Sequence, residues 1–278
     1  MKGKNAKKNT AVENQIIDEN IFLYNHKIID NPPQNIFSTH THNAYEIIFF
    51  VDGDASQIIE NREYALKKND LLIVKPFKYH YIKIKSGKPY ERYNILFDPF
   101  VLKITNIGLL PENFDIANCS NNNIILNIFN RFDFYHKNLS QKEFADVSVS
   151  LIKELLYNMR FLTTPHAFPQ YSIIDPLLAK AVDYINDNLF TIKNIDEIAK
   201  ITFISKNYLF KLFKRFLKTS PKQYIINKRL LHAQNLISLG ESPTSVFLKC
   251  GFNDYSLFYR SFKQYFGYSP SSTKTKYD

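Results

Sequence analysis

The hydrophobic period of this chain changes once, near residue 120, and the change demands two unlike layers of structure. From about 36 to 105 the apolar residues come in short runs rich in Ile, Val, Phe and Tyr: EIIFFV (46–51), SQIIENREYAL (56–66), DLLIVK (70–75), YHYIKIK (79–85) and RYNILF (92–97). DGDAS, KKN, PFK and SGKPYE separate them and supply turn chemistry. Strands at this spacing, with no helix between them, predict an antiparallel sandwich or barrel. Beyond 122, Phe144, Val147, Leu151, Leu155, Met159 and Leu162 recur every three or four positions, the mark of an amphipathic helix. TTPHAFPQYSIIDP (163–176) breaks that pattern and marks a domain boundary.

Charge is divided as unevenly as period. Residues 171–278 hold 16 Lys and Arg against 8 Asp and Glu, whereas residues 1–170 hold 20 against 18. A net of +8 on the helical half points to a polyanion partner there. The two cysteines, Cys119 and Cys250, lie far apart without CxxC spacing, which argues against a disulfide framework or zinc ribbon and for a reducing compartment. The start, MKGKNAKKNT, is basic with no apolar stretch behind it, unlike a secretory signal. Apolar runs such as IIFFV fall far short of the roughly 18 residues a membrane span requires. A soluble, cytoplasmic chain with no membrane partner is expected.

The helical half reads as a series of short helices. PLLAKAVDYINDNL (176–189) is amphipathic, IDEIAKI (195–201) follows a capping Asn194, and Ser205 caps KNYLFKLFKRFL (206–217). Pro221 suits the first turn of PKQYIINKRLLHAQNLIS (221–238). PTSVFLKC (243–250), a GFN turn and DYSLFYRSFKQYF (254–266), capped by Asn253 or Asp254, complete it. Helix, tight turn and second helix thus occur twice, over 195–217 and 243–266. Leu209, Leu212, Phe213 and Phe216 form the core stripe of one second helix, and Phe258, Phe262 and Tyr265 that of the other. The residues left for the outer faces are Lys206, Asn207, Phe210, Lys211 and Lys214, then Tyr255, Ser256, Leu257, Tyr259, Arg260 and Lys263. Donors and apolar groups on one face suit a major groove. The connecting helix, about 27 Å long, would hold two reading helices roughly one DNA turn, about 34 Å, apart. A helical bundle with a solvated basic face is the alternative.

Three runs tilt that balance: SxxYLxxLFK at 205–214, RxxxAxxLI at 229–237 and GF(N/S)xxxxFxRxFKxxFGxSP at 251–270. Over about 176–272 the chain resembles the DNA-binding domain of AraC/XylS-family transcription regulators. The resemblance implies base reading by Asn207, Phe210 and Lys211 in the first unit, and by Tyr255, Ser256, Leu257, Tyr259 and Arg260 in the second. Lys214 and Lys263 are expected on phosphates. Phe203 stands where the family often has Gly, so its turn must avoid a left-handed conformation or strain to reach it. Phe247 replaces a usual Ala under the second reading helix, and Thr273 and Lys274 replace a usual Tyr-Arg.

The strand half carries its own constellation in THTHNAYEII (39–48), where alternation in a strand would put His40, His42 and Glu46 on one face. Over about 36–100 this half resembles the cupin-type sensory domain of the same family. His40, His42, Glu46 and Gly53 match the first cupin motif. His80 is in register in a second motif, from which Asn69, Lys75 and Phe77 depart. The four positions that ligate metal in cupin enzymes are therefore filled. Three imidazoles and a carboxylate suit iron, manganese, zinc or nickel, and such a metal with open positions would activate dioxygen or water. In the organic-effector reading the same groups hydrogen-bond a small ligand, with Tyr45, Tyr79 and Tyr81 near the barrel mouth. In the plainest reading Glu46 and a histidine satisfy each other. The effector pocket is the expectation; no cofactor is expected, with a divalent metal as the alternative. His26, His136, His166 and His232 call for no functional explanation.

The fold expected is α+β in two domains: a basic arm (1–20), a cupin-like antiparallel β-barrel that binds the effector (21–110) and a helical linker (111–165). An interdomain linker (166–175), an all-α domain with two helix-turn-helix units (176–272) and a tail (273–278) follow. Leu151, Leu155 and Met159 are the expected dimer contacts. The function expected is a DNA-binding transcription regulator, an activator by family resemblance, and not an enzyme. Its partners would be double-stranded promoter DNA, a small-molecule effector, RNA polymerase and a second copy of the chain. A metal-dependent cupin enzyme or metal sensor tethered to a DNA-binding module, and a ligand-independent DNA-binding protein, are the rivals.

Overall fold

A computed structural model of the chain describes residues 15–16, 22–34, 36–99, 101, 114–162 and 171–273. The basic arm lies outside them except for Gln15–Ile16, and the tail except for Thr273. Ten strands occur among the described residues: β1 (Gln15–Ile16), β2 (Phe22–Ile29), β3 (Tyr45–Asp52), β4 (Ala55–Ile59), β5 (Arg62–Ala65), β6 (Asp70–Val74), β7 (His80–Ile84), β8 (Tyr90–Phe97), β9 (Ile116–Asn118) and β10 (Ser172–Ile173). They form two antiparallel sheets, ordered β1-β2-β8-β3-β6-β9 and β10-β5-β4-β7. The expected barrel is thus two facing sheets, bridged between His40 and His80. The run SQIIENREYAL divides into β4 and β5 because Glu60 turns the chain with a positive φ of 53°.

β3 shows why its sequence is apolar without alternation. Ile48 and Phe50 point between the sheets, against Tyr64, Ile82, Ile84 and Tyr90. Ile47 and Phe49 point the other way and are covered by helices. A strand buried on both faces has no polar side.

The covering helices are α1 (Asn123–Asn138), capped by Asn122, and α2 (Gln141–Met159), whose Ser140 and Glu143 form a reciprocal capping box. Leu151, Leu155 and Met159 are buried in one core with Phe22, Tyr24, Phe49, Ile95 and Phe97 of the six-stranded sheet. These three are therefore not dimer contacts. The outer sheet face is itself large and apolar, and burying each such side chain against it is worth about 1.5–3 kcal/mol. Both helices thus belong to the core of the sheet domain. His26 also has tertiary work: its ring lies 2.9 Å from Asp133 of α1 and 2.8 Å from Glu91 of β8. Burial would lower its pKa, but the two carboxylates raise it.

The helical half comprises α3 (Pro176–Asp187), α4 (Ile195–Thr202), α5 (Lys206–Leu212), α6 (Pro221–Ser238), α7 (Pro243–Lys249) and α8 (Tyr255–Phe266). Asn194, Ser205, Ser220 and Asp254 cap α4, α5, α6 and α8 through side-chain oxygens. After α5 the chain winds as a π turn, Phe213–Leu217. The wider turn advances the apolar stripe by one position, so Leu217, not Phe216, is fully buried. Arg229 of α6 joins the units, donating to the carbonyls of Leu189, Ile192 and Gly251 at 2.7–2.8 Å.

Candidate functional sites

His40, His42, Glu46 and His80 are brought together at the bridged edge of the two sheets. Their ligand atoms all lie within 4.8 Å of one another. Backbone hydrogen bonds between His40 and His80, 2.9 and 3.1 Å, join the two segments. Each imidazole is oriented in the same way. Nδ1 of His40, His42 and His80 meets the carbonyl oxygen of Ser38, Ala44 and Lys78 at 2.9, 3.1 and 2.9 Å. A carbonyl only accepts, so each Nδ1 carries the proton and each Nε2 is left for the centre. Glu46 Oε2 stands 3.1 Å from Nε2 of His42 and 2.7 Å from Nε2 of His80. The second contact lacks hydrogen-bond alignment, and the His80 Nε2, fully buried, has no hydrogen-bond partner.

Burial alone would raise the Glu46 carboxyl, but the charge of His80 and the hydrogen bond of His42 hold it well below the usual range. His80 is pushed down by burial but raised on balance by Glu46 and the Lys78 carbonyl, while His40 is lowered by burial and by His80. The donor set fits a divalent transition metal. Its carboxylate is ionised, its imidazoles present Nε2, and backbone carbonyls fix the rings, as the outer partners of metal ligands do. Tyr45 does not join this cluster. Strand alternation turns it to the helix-covered face, stacked on Phe97 at 5.5 Å. Tyr79 leaves it as well, for the core of the helical domain.

The two faces expected to read DNA are largely exposed. Lys206, Asn207, Phe210, Lys211 and Lys214 lie at the surface of α5 and its π turn, and Ser256, Leu257, Arg260 and Lys263 at that of α8; Tyr255 and Tyr259 are half-buried. Tyr208 and Arg215 are exposed on the first of these elements too. Tyr208 sits one helical turn before Lys211, a signal that spacing alone would have given, whereas Arg215 is displaced by the π turn. Phe203 adopts the left-handed conformation, φ 56° and ψ 36°, and the residue is 87% exposed, with Lys180 over its ring at 4.8 Å. Phe247 packs edge-on against Tyr255 at 5.4 Å, beneath the second reading helix.

A third constellation, not foreseen from sequence, joins the two halves. Glu60, in the β4–β5 turn, accepts hydrogen bonds from Tyr224 (2.6 Å), Lys228 (2.7 Å), Lys78 (2.9 Å) and Asn186 (3.1 Å). Burial pushes its carboxyl up, and the lysines and Tyr224 pull it down to about 2. Lys228 is lowered because its own burial and the charge of Lys78 outweigh what Glu60 returns. Around this centre Phe77 stacks on His232 at 3.8 Å, Asn227 donates to the Tyr79 hydroxyl at 2.8 Å, and Asn43 donates to Gln234 at 2.9 Å.

Comparison with known proteins follows the same division. The profile of an AraC-like ligand binding domain matches residues 27–113, and that of a helix-turn-helix domain matches residues 198–276. The lactose operon transcription activator of Staphylococcus xylosus is 33% identical over 127 residues, 44% of this chain; the match spans only 45% of that relative's length. The HTH-type transcriptional activator RhaR of an Enterobacter species is 23% identical over 87% of this chain and 89% of its own. ToxT of Vibrio cholerae aligns over 90% of this chain and 95% of its own at 15% identity, with a TM-score of 0.38. The assignment rests on the two profiles and the sequence relatives. With an AraC-like ligand binding domain on its sheet half and a helix-turn-helix domain on its helical half, the chain belongs to the AraC family of transcription regulators.

Proposed function

We propose that the chain is a DNA-binding transcription activator that responds to a small ligand held by its N-terminal domain. One observation carries the reading: two basic helices, α5 and α8, present polar and apolar side chains to solvent on a frame built by α6. Lys211 and Arg260 suit guanine edges. The exposed apolar Phe210 and Leu257 suit thymine methyls and favour A·T-rich half-sites. Selection of bound sequences from random DNA by the full chain tests this. Paired, thymine-containing half-sites about one helical turn apart are expected, and G·C-rich sites without thymine preference would remove the apolar contacts. The lactose operon activator among its relatives supports carbon-source genes as targets. Recruitment of RNA polymerase and a homodimer on DNA belong to the same reading. The outer faces of α1 and α2, with exposed Ile124, Phe134 and Tyr157, are the dimer surface left once the inner stripe is buried.

The ligand site supports a second reading, a divalent metal ion as the sensed species or as the seat of an organic one. His40, His42, Glu46 and His80 would hold it. The observation favouring it is that three rings are fixed through Nδ1 while Nε2 of buried His80 lacks a hydrogen-bond partner. A bound ion would supply an electrophilic point to which an anionic or carbonyl-bearing ligand attaches. Elemental analysis of untagged protein should find about one equivalent of transition metal per chain, lost in His80→Ala. Metal-free protein that binds none of zinc, manganese, iron or nickel on titration leaves the organic ligand alone in the site.

A further inference from the structure

Tyr79 belongs to the sensor domain by sequence, directly before His80 and β7, yet its ring is part of the core of the first helix-turn-helix unit. It is buried there with Leu178, Ile198, Leu209, Leu212 and Leu217. Its ring stacks on Tyr224 of α6 with centroids 4.7 Å apart. Tyr224 in turn meets Phe213 edge-on at 5.4 Å, and Phe213 opens the π turn that follows reading helix α5. Glu60 fixes the far end of the Tyr224 ring through its hydroxyl, and the Glu60 amide donates to the Tyr79 carbonyl at 2.7 Å. The second unit is built differently. Its core, from Leu230, Ala233, Ile237, Val246, Phe252, Phe258 and Phe262, draws no side chain from the sensor among the described residues.

We infer that Tyr79 is a positioning residue for DNA reading by the first unit. Through the stack Tyr79–Tyr224–Phe213 the sensor domain sets the seat of α5, while the core that seats α8 comes from its own domain and Tyr265 of α8 lies near Tyr79 outside that core. Neither α5 nor α8 is covered by the sensor, since both reading faces stay exposed while the domains are docked. The sensor therefore acts on how the first helix is held, not on whether it can be reached. The site residue His80 adjoins Tyr79 in the chain, so a ligand that shifts His80 acts on the first unit before the second. This inference rests on the proposed reading of DNA by both units.

Protection mapping of the full chain on a DNA fragment carrying both half-sites tests it. Lys211→Ala and Arg260→Ala assign the half-sites to α5 and α8. Tyr79→Ala should weaken protection of the α5 half-site about tenfold and change the α8 half-site by less than about twofold. Tyr79→Phe should restore both, because the ring stack remains and only the Asn227 hydrogen bond is lost. Should Tyr79→Ala fail to fold, Tyr79→Leu keeps apolar volume without the ring and is judged by the same criterion. Equal weakening of both half-sites, or of neither, overturns the positioning role. If Lys211→Ala leaves its half-site untouched, the reading of DNA by α5 has failed instead, so the two failures are separable.

Discussion

The two helix-turn-helix units share a plan and differ in what completes them. The second closes on itself. Its turn uses Gly251 at φ 76°, where a Cβ would come within 2.4 Å of the Phe190 carbonyl oxygen, and its reading helix runs unbroken to a left-handed Gly267. The first holds a non-glycine residue, Phe203, in the left-handed region, ends its reading helix in a π turn, and takes an aromatic ring from another domain. A unit optimised for its own stability has no need of these features. Strain and a borrowed core residue make its geometry dependent on the sensor, as functional segments often depend on their surroundings.

The largest test of this contrast is Glu60→Ala, which leaves Lys228 buried without its carboxylate and should cost about 3–5 kcal/mol in urea unfolding. Amide exchange should rise around Phe213 and Tyr224 while α8 stays protected; equal loss in α8 would erase the asymmetry. Acid acts in the same sense. The folded-state pKa of Glu60 is about 2, below its unfolded value, so its contribution is present above the usual carboxylate range and fades as pH falls towards 2. Asp183, its carboxyl raised by burial, faces the same centre and shares in that titration, and Lys78 is an ion-pair partner of Glu60 there.

Next in size, Gly251→Ala should destabilise by about 3 kcal/mol, because both backbone and Arg229 stand in the way of a Cβ. The damage should fall mainly on the α8 half-site. Lys211→Ala and Arg260→Ala should each cost about 1–3 kcal/mol of DNA affinity, at opposite half-sites. Competition binding against sites mutated in one half measures this, and a loss shared between halves would join what the structure separates. The smallest effect is a gain. In Phe203→Gly, relief of the left-handed conformation outweighs the added backbone freedom and the lost Lys180 contact by roughly half a kcal/mol. A lower melting temperature would show that the Phe203 ring itself is needed.

Much of this was legible because it is local. Asn194, Ser205, Ser220 and Asp254 cap the helices they precede in sequence, since a capping oxygen reaches only two or three residues ahead. The histidine cluster was legible from motif spacing, and its four groups do converge. What was hidden is tertiary. An apolar stripe on α2 says that Leu151, Leu155 and Met159 are buried but not against what, and the sheet supplies the answer. Alternation placed Tyr45 away from Glu46 once β3 was known to begin at Tyr45. The π turn differs from an α-helical one only in whether Phe216 or Leu217 is buried, and both letters are apolar. Glu60 and Lys228 are separated by 168 positions, and nothing in either neighbourhood names the other.

The short strand β10 has a consequence for how far the halves can part. Ser172 and Ile173 pair with Glu63 and Arg62, and the Ile174 amide donates to the Asn61 carbonyl at 2.9 Å, just before Pro176 opens α3. The DNA-binding domain therefore leaves the sensor at the very hairpin whose Glu60 grips it. With so little free chain between them, the two faces remain at an effective concentration on the order of millimolar. Were the two faces to part, the chain would turn about 174–176, and re-closure would be a first-order event whose rate does not depend on how much protein the cell contains.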